Sequence, residues 1–309
     1  RIPPARAIHR QAALLPEILD AARAAVAAGE PADLWIRRHL REHPEYGGRD
    51  RRLLADTVFA YFRWKGWLDA VNADAALACI LAHVLDAAEL PPAVATLATQ
   101  RGIPEERCRP VGLLPLEQRG AALTTLTGLP APPLDRLLPS WVYPELKAPP
   151  GLNGEQFHRR LLDVLQSSPP TWLRVARTHV DAVCVALARA GVAYQTHPWT
   201  PGALALRRGT VLGTLPDKVR RRVEIQDLAS QAVGLACAPA PGSRWWDVCA
   251  GAGGKTLHLA DLMENTGAIL ATDVRPLPLA ELARRARRAG VRIIQRELWD
   301  GTRPSRARG

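Results

Sequence analysis

Three carboxylates and a cluster of glycines near the C-terminal end of the chain are the residues whose types and spacing could do chemistry. Asp247 closes the short apolar run that begins at Trp245, and Gly251, Gly253 and Gly254 follow it. Asp273 closes a second apolar run starting at Gly267, and Asp300 follows a third, Val291 to Leu298. Runs this short, of aromatic and β-branched type, read as buried parallel strands. The amphipathic stretch with Leu257, Leu259, Ala260 and Met263 on one side reads as the helix after the first strand. Strand, glycine turn and helix form the ligand-holding corner of a doubly wound α/β sheet. Glycine suits that turn because the chain reverses in little space and a Cβ would keep a ligand off the backbone. The N–H groups of the first helical turn then face the ligand.

Spacing narrows the ligand. A phosphate-cradling loop of the form G-x-x-x-x-G-K-[ST] needs glycine where this chain has Cys249, although Gly254-Lys255-Thr256 fits its end. The dinucleotide fingerprint G-x-G-x-x-G needs glycine at Thr256 and also fails. What remains is the acidic residue Asp247 followed by Cys249-x-Gly251-x-Gly253. S-adenosylmethionine-binding methyltransferases set an acidic residue at this point to meet the cationic amino-acid end of the cofactor. Asp273 lies 20 residues beyond Gly253, the offset at which nucleotide folds place a ribose-binding acid. A carboxylate accepts two hydroxyl hydrogen bonds and would repel a 2′-phosphate. Asp300 has two readings, acceptor for an adenine amino group or cap of the next element.

CAGAGGKT, with EIQDLASQ at Glu224 to Gln231, resembles the Sun/RsmB-type family of RNA cytosine-5 methyltransferases, whose usual forms are CAxPGGKT and E-x-Q-D-x-x-S-Q. The resemblance extends through LPSWV at Leu138 to Val142 and GGRDRRLLADTVFAYFRWKGWLD at Gly47 to Asp69, so it spans nearly the whole chain. Ala252 stands where the family commonly has proline. The resemblance implies an S-adenosyl-L-methionine cofactor held by Cys249, Ala250, Gly251, Ala252, Gly253, Gly254, Lys255, Asp273 and Asp300, with Lys255 near the methyl-donor end. It implies an RNA substrate, expected to be ribosomal. It also implies a cysteine thiolate that attacks C6 of cytosine before methyl transfer to C5. The motifs carrying that cysteine do not occur here, so the chain is expected to be cut before them and inactive alone. Cys249, in a position that faces the cofactor, is not read as the nucleophile. The competing reading is a non-catalytic RNA-binding protein.

The elements that must position the corner divide into three expected domains. Residues 1–140 carry helical apolar faces, among them Leu14, Leu15, Ile18, Leu19 and Ala22, and Leu53, Leu54, Val58, Phe59 and Phe62. They read as an all-α bundle, by resemblance the NusB-like RNA-binding domain of the family, with Trp64 and Trp67 as core and the arginine runs from Arg37 and Arg49 as solvated helix faces or caps. After the proline-rich stretch from Pro130 to Gly151, residues 141–222 alternate helix and strand, beginning with a helix around Glu155 to Leu165. They read as a small α+β module similar to the RNA-recognition-like subdomain of the family. Residues 223–309 read as the first half of the doubly wound α/β, Rossmann-like class I methyltransferase domain. Asp227 is read there as a helix N-cap, and the arginines of the helix Leu279 to Ala289 as facing water.

Charge agrees with a polyanionic partner. The 309-residue chain carries +11, of which residues 1–140 supply +1, residues 141–222 supply +7 and residues 223–309 supply +3. The cluster Lys218, Arg220, Arg221 and Arg222 is the candidate phosphate-binding segment. Five scattered cysteines without a C-x-x-C pair argue against a disulfide framework and structural zinc, and the histidines, His258 included, lack metal-ligand spacing. No apolar run reaches a membrane span. The expectation is a cytoplasmic monomer without a metal.

Overall fold

The computed structural model describes residues 4–207, 210 and 212–302. Residues 303–309, which the sequence reading includes in the last domain, lie outside them. The chain forms two compact units, Arg1–Ser168 and Pro169–Gly309.

The first unit is helical: α1 (Ala5–Ala27), α2 (Ala32–Glu42), α3 (Gly48–Ala70), α4 (Ala75–Asp86), α5 (Pro92–Gln100), α6 (Leu116–Thr127) and α7 (Gly154–Leu165). α3 buries residues on several of its faces, among them Leu54, Tyr61, Trp64 and Leu68, and packs against α1, α2 and α4. Trp64 and Trp67 are core residues, 0% and 1% exposed. Their indole N–H groups still find acceptors, Asp86 Oδ1 at 3.3 Å and the Pro133 carbonyl at 3.0 Å, as buried tryptophans require.

The run from Arg49, read as a solvated helix face or cap, does cap: the Gly47 N–H donates to Asp50 at the start of α3. Asp50 is buried, and burial works to raise its pKa. Hydrogen bonds from Gln11, the Gly47 N–H and Arg10 outweigh that and hold it below the usual carboxylate range. Arg51 turns back to donate to the carbonyls of Leu40, His43 and Tyr46, gathering the C-terminal end of α2. The helix Gly154–Leu165 departs from expectation: it places Leu162 in the helical core, not in an α+β module.

Arg119 ties this last helix in. The side chain is buried, so burial pushes its pKa down, and it donates to the carbonyls of Leu114 at 2.9 Å, Leu85 at 3.3 Å and Gln166 at 3.1 Å. It also lies over the Trp64 ring, 5.4 Å from the centroid.

The second unit holds two sheets. β1 (Thr171–Val175), β2 (Tyr194–Thr196), β3 (Ala203–Leu206) and β4 (Val223–Ile225) pair antiparallel in the order β2-β3-β1-β4, with Thr171 opposite Leu206 and Leu173 opposite Ile225. α8 (Val180–Arg189) and the short α9 (Asp217–Arg220) pack with this sheet over Leu173, Val175, Val183, Leu187, Leu204 and Val223. β4 therefore belongs to the antiparallel module, although the sequence reading begins the next domain at 223.

α10 (Leu228–Cys237) then leads into β5 (Arg244–Asp247), α11 (Gly254–Leu262), β6 (Ala268–Asp273), α12 (Pro276–Ala289) and β7 (Ile294–Leu298). These three strands form a parallel sheet in the order β5-β6-β7, with Asp247 opposite Ala271 and Asp273 opposite Leu298. The helical first unit and the parallel α/β sheet thus agree with the expected class of fold. Among the described residues no single helix is long and apolar enough to cross a membrane.

Replacing Arg119 by methionine keeps much of its length but leaves the carbonyls of Leu85, Leu114 and Gln166 without this donor. We expect Arg119→Met to destabilise the helical unit by about 2–4 kcal/mol in a denaturant titration. A curve superimposed on that of the unaltered protein would remove Arg119 as the link between α4, α6 and α7.

Candidate functional site

β5 ends at Asp247, the chain turns through residues 248–253, and α11 begins at Gly254. Two of the three glycines are demanded by the backbone, since Gly251 has φ +53° and Gly253 φ +83°. Gly253 is demanded twice, because a Cβ there would collide with the Leu282 side chain of α12. The turn is pinned by Ala250 N–H to the Thr272 carbonyl at 2.9 Å and Gly253 N–H to the Ala250 carbonyl at 2.8 Å. The N–H groups of the first turn of α11 have no acceptor within the helix and are available to an anionic or polar ligand.

Asp273 sits at this corner. Its Oδ2 accepts from the Gly251 N–H at 2.8 Å, so the acidic end of β6 and the glycine turn form one site. Arg275 also grips the carboxylate: its side chain donates to both oxygens, at 3.0 and 3.3 Å, and its backbone N–H reaches Oδ1 at 3.0 Å. Asp273 is only 5% exposed, and these bonds, those from the Arg275 side chain foremost, hold its pKa down to about 2. A carboxylate offers about four acceptor sites, and here all are taken. Hydroxyl groups of a ligand would have to replace the Arg275 side chain, which is 66% exposed and can turn toward water.

The other carboxylates are placed differently. Asp247 accepts from Thr256 Oγ1 at 2.7 Å, which locks the end of β5 to the first turn of α11. Asp300 is exposed and caps the turn beyond it, accepting from the N–H and Oγ1 of Thr302 at 2.9 and 2.6 Å, and Thr302 holds its pKa down. It follows Trp299, whose N–H donates to the Asp273 carbonyl at 3.2 Å and whose ring lies 5.0 Å from that of Trp246. Cys249 and Lys255 are exposed, Ala250 is buried, and Ala252 and Gly254 are partly covered. His258, on α11, is buried with its pKa lowered to about 4 by burial, and packs where α10 has Gly234.

Four residues that sequence reasoning passed over hold the corner from outside. Arg285 of α12 is turned inward, donating to the Ala252 carbonyl at 2.7 Å and to Glu224 at 2.7 Å. This corrects the expectation that the arginines of that helix face water. Gln226 donates to the Gly254 carbonyl at 3.3 Å and accepts from Arg174 at 2.7 Å. The signal for Glu224 and Gln226 was their place in the EIQD motif. For Arg275 it was only its position two residues after Asp273, and for Arg285 there was none.

The basic cluster meets a cleft of about 670 Å³ between the antiparallel module and the helices of the parallel sheet. Lys218, Arg221 and Arg222 line it together with Arg174 and Arg288, and so do Asp261 and Glu264. Arg220 does not line it and is paired with Asp217. None of residues 249–255 borders this cleft. Among the described residues no group of three or more His, Cys, Asp or Glu side chains is arranged to hold a metal ion.

Comparison with known proteins gives the corner a context. Residues 234–309 match a family model described as 16S rRNA methyltransferase RsmB/F. A ribosomal RNA small subunit methyltransferase B from Salmonella paratyphi C is 31% identical over 149 residues, covering 48% of this chain and 34% of the relative. The protein of the same description from Salmonella typhi is 30% identical over the same length and coverage. The chain thus spans about a third of the length of these relatives. The crystal structure of PH0851 shares the fold, with a TM-score of 0.58 and 22% identity over 92% of this chain and 69% of that one.

The double demand on Gly253 is testable. Gly253→Ala is expected to destabilise the second unit by about 1–3 kcal/mol, through its left-handed backbone and the collision with Leu282. Adding Leu282→Ala relieves the collision but not the backbone strain, so the double variant should lose less than the sum of the two single changes. Additive losses would show that Leu282 does not set this position.

Proposed function

The chain is a relative of the Sun/RsmB-type methyltransferases, and on that footing we propose that it serves S-adenosylmethionine-dependent methylation of cytosine C5 in RNA, with ribosomal RNA as the substrate class. The observation that carries this reading is the 2.8 Å hydrogen bond from the Gly251 N–H to Asp273, which joins a glycine turn and an ionised strand-end carboxylate in one corner. A nucleoside with a free ribose diol and no phosphate suits that corner, because Asp273 accepts hydroxyl donors and repels phosphate.

The residues fit the cofactor by their chemistry. Gly251, Ala252, Gly253 and Gly254 present backbone along which it can lie, Cys249 and Ala250 flank that path, and Asp273 takes the ribose once the Arg275 side chain turns aside. Lys255, in the first turn of α11, is assigned to the methyl-donor end. Asp300, next to Trp299, is assigned to the adenine edge. When bound, S-adenosylmethionine supplies an electrophilic methyl group. C5 of cytosine is too weak a nucleophile to take it unaided, and a cysteine thiolate adding to C6 provides the activation in this reaction class. No residue of the corner is assigned that thiolate role; the corner binds and orients. Lys218, Arg221 and Arg222 hold the RNA backbone by its phosphates. The antiparallel module is read with them as an RNA-recognition-like subdomain, and the helical unit as a NusB-like RNA-binding domain.

Two measurements test the reading. Calorimetry with S-adenosylhomocysteine should show binding that Asp273→Ala weakens at least tenfold; unchanged affinity would refute the ribose role. RNA affinity should fall with rising salt, and replacing Arg221 and Arg222 by alanine should lower the log–log slope by about one unit for each phosphate that is no longer neutralised. An unaltered slope would return these arginines to ordinary surface.

A further inference from the structure

The peptide units of the glycine turn are held from two sides, and both holds lead to β4. Arg285 grips the carbonyl of Ala252, and Gln226 grips the carbonyl of Gly254. A trans peptide is planar with its C=O and N–H opposed, so fixing each carbonyl also aims the N–H of the next residue, Gly253 in one case and Lys255 in the other. The Lys255 N–H belongs to the first turn of α11, where a ligand of the corner would lie. Gln226 follows directly after β4. Arg285 is fixed by Glu224 within β4 at 2.7 Å, and Arg288 holds the second Glu224 oxygen at 3.0 Å. Arg285 and Glu224 are mostly covered, at 15% and 18% exposure, so the pair is shielded from the water and salt that weaken surface ion pairs.

β4 is also the continuation of the basic cluster. Arg221 and Arg222 immediately precede Val223, and Glu224 comes next. Within the sheet Glu224 lies opposite Arg174, whose guanidinium bonds Gln226 at 2.7 Å and Asp261 of α11 at 3.4 Å. Phosphates bound at Arg221 and Arg222 would therefore hold the start of the strand whose next residues set the turn.

We propose that Arg285 is a positioning residue through which the basic cluster and the glycine turn are coupled: RNA on Lys218, Arg221 and Arg222 tightens nucleoside binding at residues 249–254, and the nucleoside tightens RNA. Linkage requires the two effects to be equal. The inference rests on the reading under Proposed function and adds the route by which one ligand acts on the other.

The test uses the full chain, S-adenosylhomocysteine as the nucleoside and polycytidylate as the RNA. Calorimetry of S-adenosylhomocysteine with and without saturating polycytidylate should show affinity raised about fivefold by the RNA, at the lower end of measured couplings. Arg285→Gln, too short and uncharged to bridge Ala252 and Glu224, should reduce that ratio to near one, with a melting transition that is lowered but still cooperative. Arg285→Lys should restore part of the ratio. Glu224→Gln cuts the link from the other end and decides the matter should Arg285→Gln lose its melting transition. Equal affinity with and without RNA in the unaltered protein overturns the coupling, as does a ratio that survives Arg285→Gln or Glu224→Gln. Absence of any S-adenosylhomocysteine binding in the unaltered protein instead overturns the cofactor reading beneath it, and the coupling with it.

Discussion

A buried carboxylate at the end of a parallel strand governs the architecture of the corner. Asp273 accepts the Gly251 N–H from the turn after the neighbouring strand, and Arg275 keeps it ionised. The same theme recurs one strand away, where Asp247 fastens β5 to α11 through Thr256. Thr272 completes the seam by receiving the Trp246 indole N–H at 3.1 Å. Strand ends in a parallel sheet leave polar groups in a confined space, and short polar side chains satisfy them without closing the ligand face.

Around that corner the charges are unequal in kind. Arg174, Arg285 and Arg275 are engaged with carboxylates or carbonyls and shape the protein itself. Lys218, Arg221 and Arg222 line an open cleft. Net charge alone would have merged the two groups. Burial sets Arg174 and Arg285 apart, because a guanidinium removed from water must be matched by acceptors of the protein, whereas Arg275 is exposed and held by Asp273.

The corner was legible in the sequence to the extent that its geometry is local. Gly251 and Gly253 announce a left-handed turn, and the Gly253-to-Asp273 interval announces the acid on the next strand, since one helix and one strand separate them. Arg285 was not legible. Its partner Glu224 is distant along the chain, and helical periodicity assigns a residue to a face without saying what approaches that face. Trp64 and Trp67 read correctly as core because their spacing matched a helical stripe. The neighbours of the helix Gly154–Leu165 are hidden for a related reason: Leu162 alone is buried on it, and an amphipathic pattern does not name the surface it covers. The burial of Asp50 was hidden as well, its sequence neighbours being three arginines.

The parallel pairing of β5 with β6 carries a kinetic consequence. Neighbouring strands that run the same way cannot zip from a hairpin. The crossover through α11 must close before Asp273 and Gly251 can meet. Until then the carboxylate, the turn and the N-terminus of α11 are separate, and the corner does not exist. A small molecule captured there would clamp the crossover shut, and its first benefit to the protein would be a slower escape from the native state.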